Sequence, residues 1–218
     1  MGSDRNTRGL LRAQIAHPSP DGGDPVLWEM FSTHLTYDEH QQCAMVTKLV
    51  DELDQFSSKA PDMLQVIAGD MNTYLTFEWP MEFIMDPYSP ISSYHGNPCR
   101  DPFDRWRESH PKTSRVSLTY ADIWDEAFPR NSDGRLPQST EHLEMQALGH
   151  TFPVFKTSPQ TNCRPDRVLR RVVDGVELLM VKTFGRASSK TAPMYLSDHL
   201  GVFLGLDLKG GSINRSSR

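Results

Sequence analysis

The chain has 218 residues, of which 37% are hydrophobic, enough for one domain with one main core and unlike the composition of a disordered chain. Its formal net charge of −5 excludes a protein that coats nucleic acid non-specifically, because that mode neutralises many phosphates with lysine and arginine. Cys43, Cys99 and Cys163 show no zinc spacing and cannot all pair, which points to a reducing intracellular compartment, nucleus or cytoplasm; no run reaches the length of a membrane helix.

Residues 1–25 are polar and broken by Pro18, Pro20, Gly22, Gly23 and Pro25, so they read as a flexible leader. Val26 to Leu35 (VLWEMFSTHL) reads as a strand that ends at His34. From Asp38, a plausible N-cap, to Phe56 the spacing of Val46, Leu49, Val50, Leu53 and Phe56 predicts an amphipathic helix. A short apolar run from Met63 to Ala68 predicts the next strand, and Gly69-Asp70-Met71-Asn72 ends it. Together these make a right-handed strand-helix-strand unit, with His34 and Asp70 at one edge of the sheet. Ligands bind at that edge in open sheets of this kind. In an extended segment Asp70 and Asn72 share a face; a carboxylate there can orient water or hold a hard cation, and an amide can grip a phosphate oxygen. The simpler alternative is an Asx turn that caps the strand.

Residues 73–117 read as an irregular insertion rich in proline and aromatic residues. Phe77, Trp79, Phe83 and Tyr88 form either a stacking surface for substrate or a satellite hydrophobic cluster under a long loop. Leu118 to Phe128 reads as a short helix or a strand-helix junction, followed by a turn-rich loop. The arginines at 164, 167, 170 and 171 surround Asp166, Val168 and Leu169; they read either as the solvated face of an edge strand or as phosphate ligands. Residues 177–183 and 202–208 are the last two strands, with Ser197-Asp198-His199 between them, and a glycine- and serine-rich tail spans residues 209–218.

Four clusters therefore fall in a fixed order: Ser32-Thr33-His34-Leu35, Gly69-Asp70-Met71-Asn72, Arg164-Pro165-Asp166-Arg167 and Ser197-Asp198-His199-Leu200. In these the chain resembles the endonuclease/exonuclease/phosphatase superfamily, the deoxyribonuclease-I-like metal-dependent phosphoesterases. The resemblance runs from about Val26 to Leu208 and covers the C-terminal part of that fold, so it implies a partial α/β sandwich of mixed sheets flanked by helices, with the N-terminal half missing. Thr-His-Leu, Gly-Asp-x-Asn and the Asp122-Ile123-Trp124 step are most similar to the tyrosyl-DNA phosphodiesterase branch, which hydrolyses 5′-phosphotyrosyl links.

The resemblance implies roles for single residues. His199 would act as general base, with Asp166 accepting its other N–H. Asp70 would orient the attacking water or bind metal, Asn72 would position a phosphate oxygen, and Asp198 would add negative charge at the metal. His34 would stabilise the oxyanion or the leaving oxygen, and Arg164 and Arg167 would hold the substrate. Magnesium is the implied ion, with manganese as the alternative.

The superfamily's principal metal ligand is a glutamate upstream of the Thr-His-Leu strand, and it has no counterpart here. Two functions follow: a metal-dependent phosphodiester hydrolase acting on nucleic-acid ends, or a catalytically inactive relative that serves as a binding module. A sphingomyelin-like phospholipid is the alternative substrate. A partial sandwich would also leave an apolar sheet face for a protein partner or for self-association.

Overall fold

The computed structural model describes residues 8–18, 22–73, 78–89, 96–111, 118–128, 151, 165–184 and 201–208. Its strands are β1 (Leu10–His17), β2 (Val26–His34), β3 (Leu64–Asp70), β4 (Tyr120–Asp122), β5 (Asp166–Arg171), β6 (Val176–Phe184) and β7 (Gly201–Leu208). Its helices are α1 (Glu39–Lys59), α2 (Trp79–Met85), α3 (Arg100–Ser109) and α4 (Ile123–Ala127). Five strands form one sheet in the order β1-β2-β3-β5-β4, and β6 and β7 form a separate antiparallel ribbon.

Among the described strands only β2 and β3 pair in parallel, with α1 as their crossover. The Asp38 carboxylate accepts the Gln41 N–H and fixes the start of α1. The helix lays Val46, Leu49, Val50 and Leu53 on Phe31, Ile67 and Leu169 of the sheet. The opposite sheet face carries Trp28, Leu64, Val66 and Val168, which meet Val176, Leu204 and Leu206 around the ribbon. The large sheet is thus the middle layer of a mixed α/β arrangement, with α1, α2 and α3 on one side and the two-stranded ribbon with α4 on the other.

Residues 10–17, expected within a flexible leader, form β1 instead. They pair along the whole length of β2, from Leu10 opposite Thr33 to His17 opposite Val26. An edge strand needs hydrogen bonds on one side only, so most of β1 stays exposed and leaves a weak apolar pattern. Arg12 fastens the strand: it pairs with Glu29 and lies 3.5 Å over the Phe56 ring.

The insertion is more regular than expected, since it contains α2 and α3. Its aromatic residues form a core cluster rather than a stacking surface. Phe83 and Phe103 stack at 3.9 Å, Trp106 meets Phe83 edge-on at 5.4 Å, and all three are buried. Phe77 lies outside the described residues. Packing α3 against α1 brings Cys43 and Cys99 to a Cα separation of 5.0 Å, where they form a disulfide. That pairing removes the inference from free thiols to a reducing compartment.

A row of polar residues lies buried beneath the C-terminal end of α1. Glu29 stands opposite Gln65, and Tyr120 stands opposite Arg171. Gln65 Oε1 accepts the Tyr120 hydroxyl at 2.5 Å and the Ser57 hydroxyl at 3.0 Å, while Arg171 Nη1 donates to the Ala60 carbonyl at 3.3 Å. Burial pushes the Tyr120 phenol above its ordinary range, so it remains a neutral donor.

The parallel pair leaves no room for a side chain at Gly69, whose φ of +155° suits glycine and whose added Cβ would lie 1.8 Å from the Thr33 carbonyl oxygen. Gly69→Ala is expected to part β2 from β3 and to cost on the order of 3 kcal/mol in a urea titration. An unchanged midpoint would show that the two strands do not approach so closely.

Candidate active site at the β2, β3 and β5 ends

The end of the sheet at which β2 and β3 finish and β5 begins is built by register. His34 stands opposite Asp70 on the neighbouring parallel strand, and Asp70 stands opposite Asp166 on the neighbouring antiparallel strand. Three residues far apart in sequence therefore share one sheet face at one edge. The backbone holds them there: Leu35 N–H donates to the Asp70 carbonyl at 2.9 Å, and Met71 N–H donates to the Pro165 carbonyl at 2.8 Å. Asp166 N–H donates to the hydroxyl of the buried Thr151 at 3.3 Å.

His34 Nε2 lies 3.4 Å from Asp70 Oδ2, with the imidazole half exposed and the carboxylate mostly covered. The other oxygen, Oδ1, accepts the Asn72 N–H at 2.9 Å. This is an Asx turn, so Asn72 does not continue the strand direction. Its φ is +48°, and its side-chain Nδ2 donates to the Leu35 carbonyl at 2.7 Å. The amide stays beside Asp70 by this turn rather than by strand alternation.

Arg167 is placed elsewhere. Its guanidinium is buried and donates to Asp122 Oδ2 and to Glu78 Oε1, both at 2.8 Å. Burial works against its charge, but Asp122 and Glu78 outweigh that effect and hold its pKa above the ordinary value. Arg170 likewise forks onto Glu126, at 2.8 and 2.6 Å. β5 is an interior strand, so these arginines are neither an exposed edge face nor phosphate ligands: they are consumed by internal ion pairs. Asp122 also caps α4 by accepting the Trp124 N–H. Arg164, Asp198 and His199 lie outside the described residues.

Gln42 and Glu78 were not singled out from sequence. Gln42 carried a legible signal, since it occupies the apolar stripe of α1 one turn before Val46, where a polar side chain must find partners.

The fold built from these elements is a partial deoxyribonuclease-I-like fold, similar to part of the fold of endonuclease/exonuclease/phosphatase proteins. Among solved structures, TDP2 of D. rerio complexed with single strand DNA product aligns over 94% of this chain and 64% of its own, with 17% identity and a TM-score of 0.53. An endonuclease/exonuclease/phosphatase family protein from Bacteroides thetaiotaomicron aligns over 94% of this chain and 57% of its own, with 12% identity and a TM-score of 0.50. The chain therefore spans less than two thirds of the length of either structure, and at such identities the likeness is one of fold. No protein-family model and no curated protein matches it. Among the described residues, no helix is long and apolar enough to cross a membrane.

Asp70 and Asp166 are oxygen donors of the kind magnesium takes. Yet among the described residues no three His, Cys, Asp or Glu side chains group as a metal site, and one Asp70 oxygen already accepts the Asn72 N–H. The described residues alone do not fit the ion.

Replacing Asp122 by alanine is expected to leave Arg167 with half of its carboxylate partners and to destabilise the fold by about 3 kcal/mol in chemical denaturation. Arg167→Lys, which retains the charge but loses the fork, should lower stability while leaving the affinity for inorganic phosphate unchanged. A weaker phosphate affinity without a stability loss would return Arg167 to the substrate.

Proposed function

We propose that this chain carries part of the active site of a phosphodiester hydrolase that acts on nucleic-acid ends, with 5′-phosphotyrosyl links as the leading substrate. The observation that carries the proposal is the register that gathers His34, Asp70 and Asp166 at one sheet edge. Similarity of fold to a DNA-bound TDP2 supports the choice of substrate. In this reading Asp70 orients the attacking water, and His34 stabilises charge on the leaving or non-bridging oxygen. Asn72 holds a phosphate oxygen, and His199 is the general base, with Asp166 fixing its tautomer. Magnesium, or manganese, belongs to the proposal with Asp198 as the sequence candidate for a further ligand. No step is assigned to it.

A second reading, a catalytically inactive binding module, is favoured by one observation: the described residues hold no three-ligand acidic cluster. A single assay separates the two. Hydrolysis of a 5′-phosphotyrosyl oligonucleotide, a plain oligonucleotide and sphingomyelin is measured with and without magnesium, for the wild type, His199→Ala and Asp70→Asn. The asparagine oxygen can still accept the Asn72 N–H, so Asp70→Asn should keep the turn and the stability while removing the charge. We expect magnesium-dependent cleavage of the phosphotyrosyl substrate, falling about a hundredfold or more in either variant. Retained binding of the oligonucleotides with no turnover of any substrate would establish the binding module instead.

A further inference from the structure

We infer that Gln42 is a positioning residue for this site, and the inference rests on the function proposed above. The Gln42 side chain is buried beneath the ends of β2 and β3. The two N–H bonds of its Nε2 serve three carbonyls, those of Thr36 at 2.9 Å and Met71 at 2.7 Å and, through a shared hydrogen, that of Asn72 at 3.2 Å. Thr36 belongs to the segment that leaves β2 just after His34. Met71 and Asn72 belong to the segment that leaves β3 just after Asp70. One amide group on α1 therefore ties together both chains that carry the site.

The tie matters most at Asn72, a non-glycine residue with a positive φ. That conformation persists because three contacts agree on it: its N–H to Asp70, its Nδ2 to Leu35, and its carbonyl to Gln42. The same neighbourhood is braced from the helix side, where Asp38 N–H donates to the Thr36 hydroxyl and the Asp38 carboxylate caps α1. Three carbonyl oxygens converge on the position, so it requires an N–H donor. A carboxylate there would repel all of them, whereas a protonated carboxyl could still donate to one.

The test follows from that asymmetry. The wild type, Gln42→Glu and Gln42→Met are compared at about pH 9.5 and about pH 5, the higher value lying above the raised range in which buried glutamates titrate. Affinity for inorganic phosphate is one readout, and the amide NMR signals of Asn72 are the other. The wild type at both values corrects for His34, Asp38, Asp70 and Asp166, the titratable groups on the surrounding segments. We expect Gln42→Glu to lose about tenfold in phosphate affinity at the higher pH and to shift the Asn72 signals, with both recovering at the lower pH; Gln42→Met should be impaired at both.

A folded Gln42→Glu with wild-type Asn72 signals and wild-type affinity at the higher pH would overturn the inference. So would a loss that does not recover on acidification, since a purely structural lesion has no reason to respond to the protonation of that carboxyl. If the wild type binds no phosphate, the functional reading falls, and the Asn72 signals still decide whether Gln42 positions that residue.

Discussion

The parallel pairing of β2 with β3 brings two backbones together at Gly69 more closely than any residue with a side chain would permit. A parallel pair needs a crossover, and α1 supplies it, packing its apolar stripe on the same two strands it connects. Once that unit is closed, the rest of the site edge is constrained. His34 must stand beside Asp70, the segments after them must leave side by side, and α1 must begin where those segments turn. β5 then adds Asp166 through antiparallel pairing with β3.

Local periodicity made this unit readable in the sequence. The α1 stripe, the apolar run before Gly69 and the strand ending at His34 are short-range patterns, and the structure follows them closely. The readings that depended on neighbours fared differently. β1 has few buried side chains, so nothing in its own residues separates an edge strand from a polar leader. The arginines of β5 read either as a solvated face or as phosphate ligands, because the partners of Arg167 and Arg170, which are Asp122, Glu78 and Glu126, lie 44 to 89 residues away in sequence. Of the two readings of Asn72, the Asx turn holds and strand alternation does not; the two predict the same proximity to Asp70 with different amide orientations. The pairing of Cys43 with Cys99 depends on how the insertion packs on α1, which spacing alone does not reveal.

Those ion pairs also explain how an irregular insertion is kept in place. Glu78 lies just before α2 and reaches Arg167 on β5, while the other end of the insertion is stapled to α1 through Cys99 and packed there by Phe103 and Trp106. The insertion is therefore bound both to the strand that supplies Asp166 and to the helix that supplies Gln42. With Arg167 held in this way, the side chains placed at the ends of β2, β3 and β5 are the imidazole of His34, the amide of Asn72 and the carboxylates of Asp70 and Asp166.

The buried polar row at the opposite end of the sheet has a consequence for how the chain finds its pairing. β5 reaches β3 only after a long excursion, so many alignments compete while the loop closes. A slip of one residue would turn every side chain of the strand to the opposite face, taking Arg171 away from the Ala60 carbonyl and driving it among the apolar side chains beneath the ribbon. Buried polar groups of this sort add little net stability, yet they penalise each wrong alignment heavily. Arg171, Tyr120 and Gln65 thus act as a key whose fit is read at one end of β5 and whose result appears at the other: the alignment that satisfies them also sets Asp166 opposite Asp70.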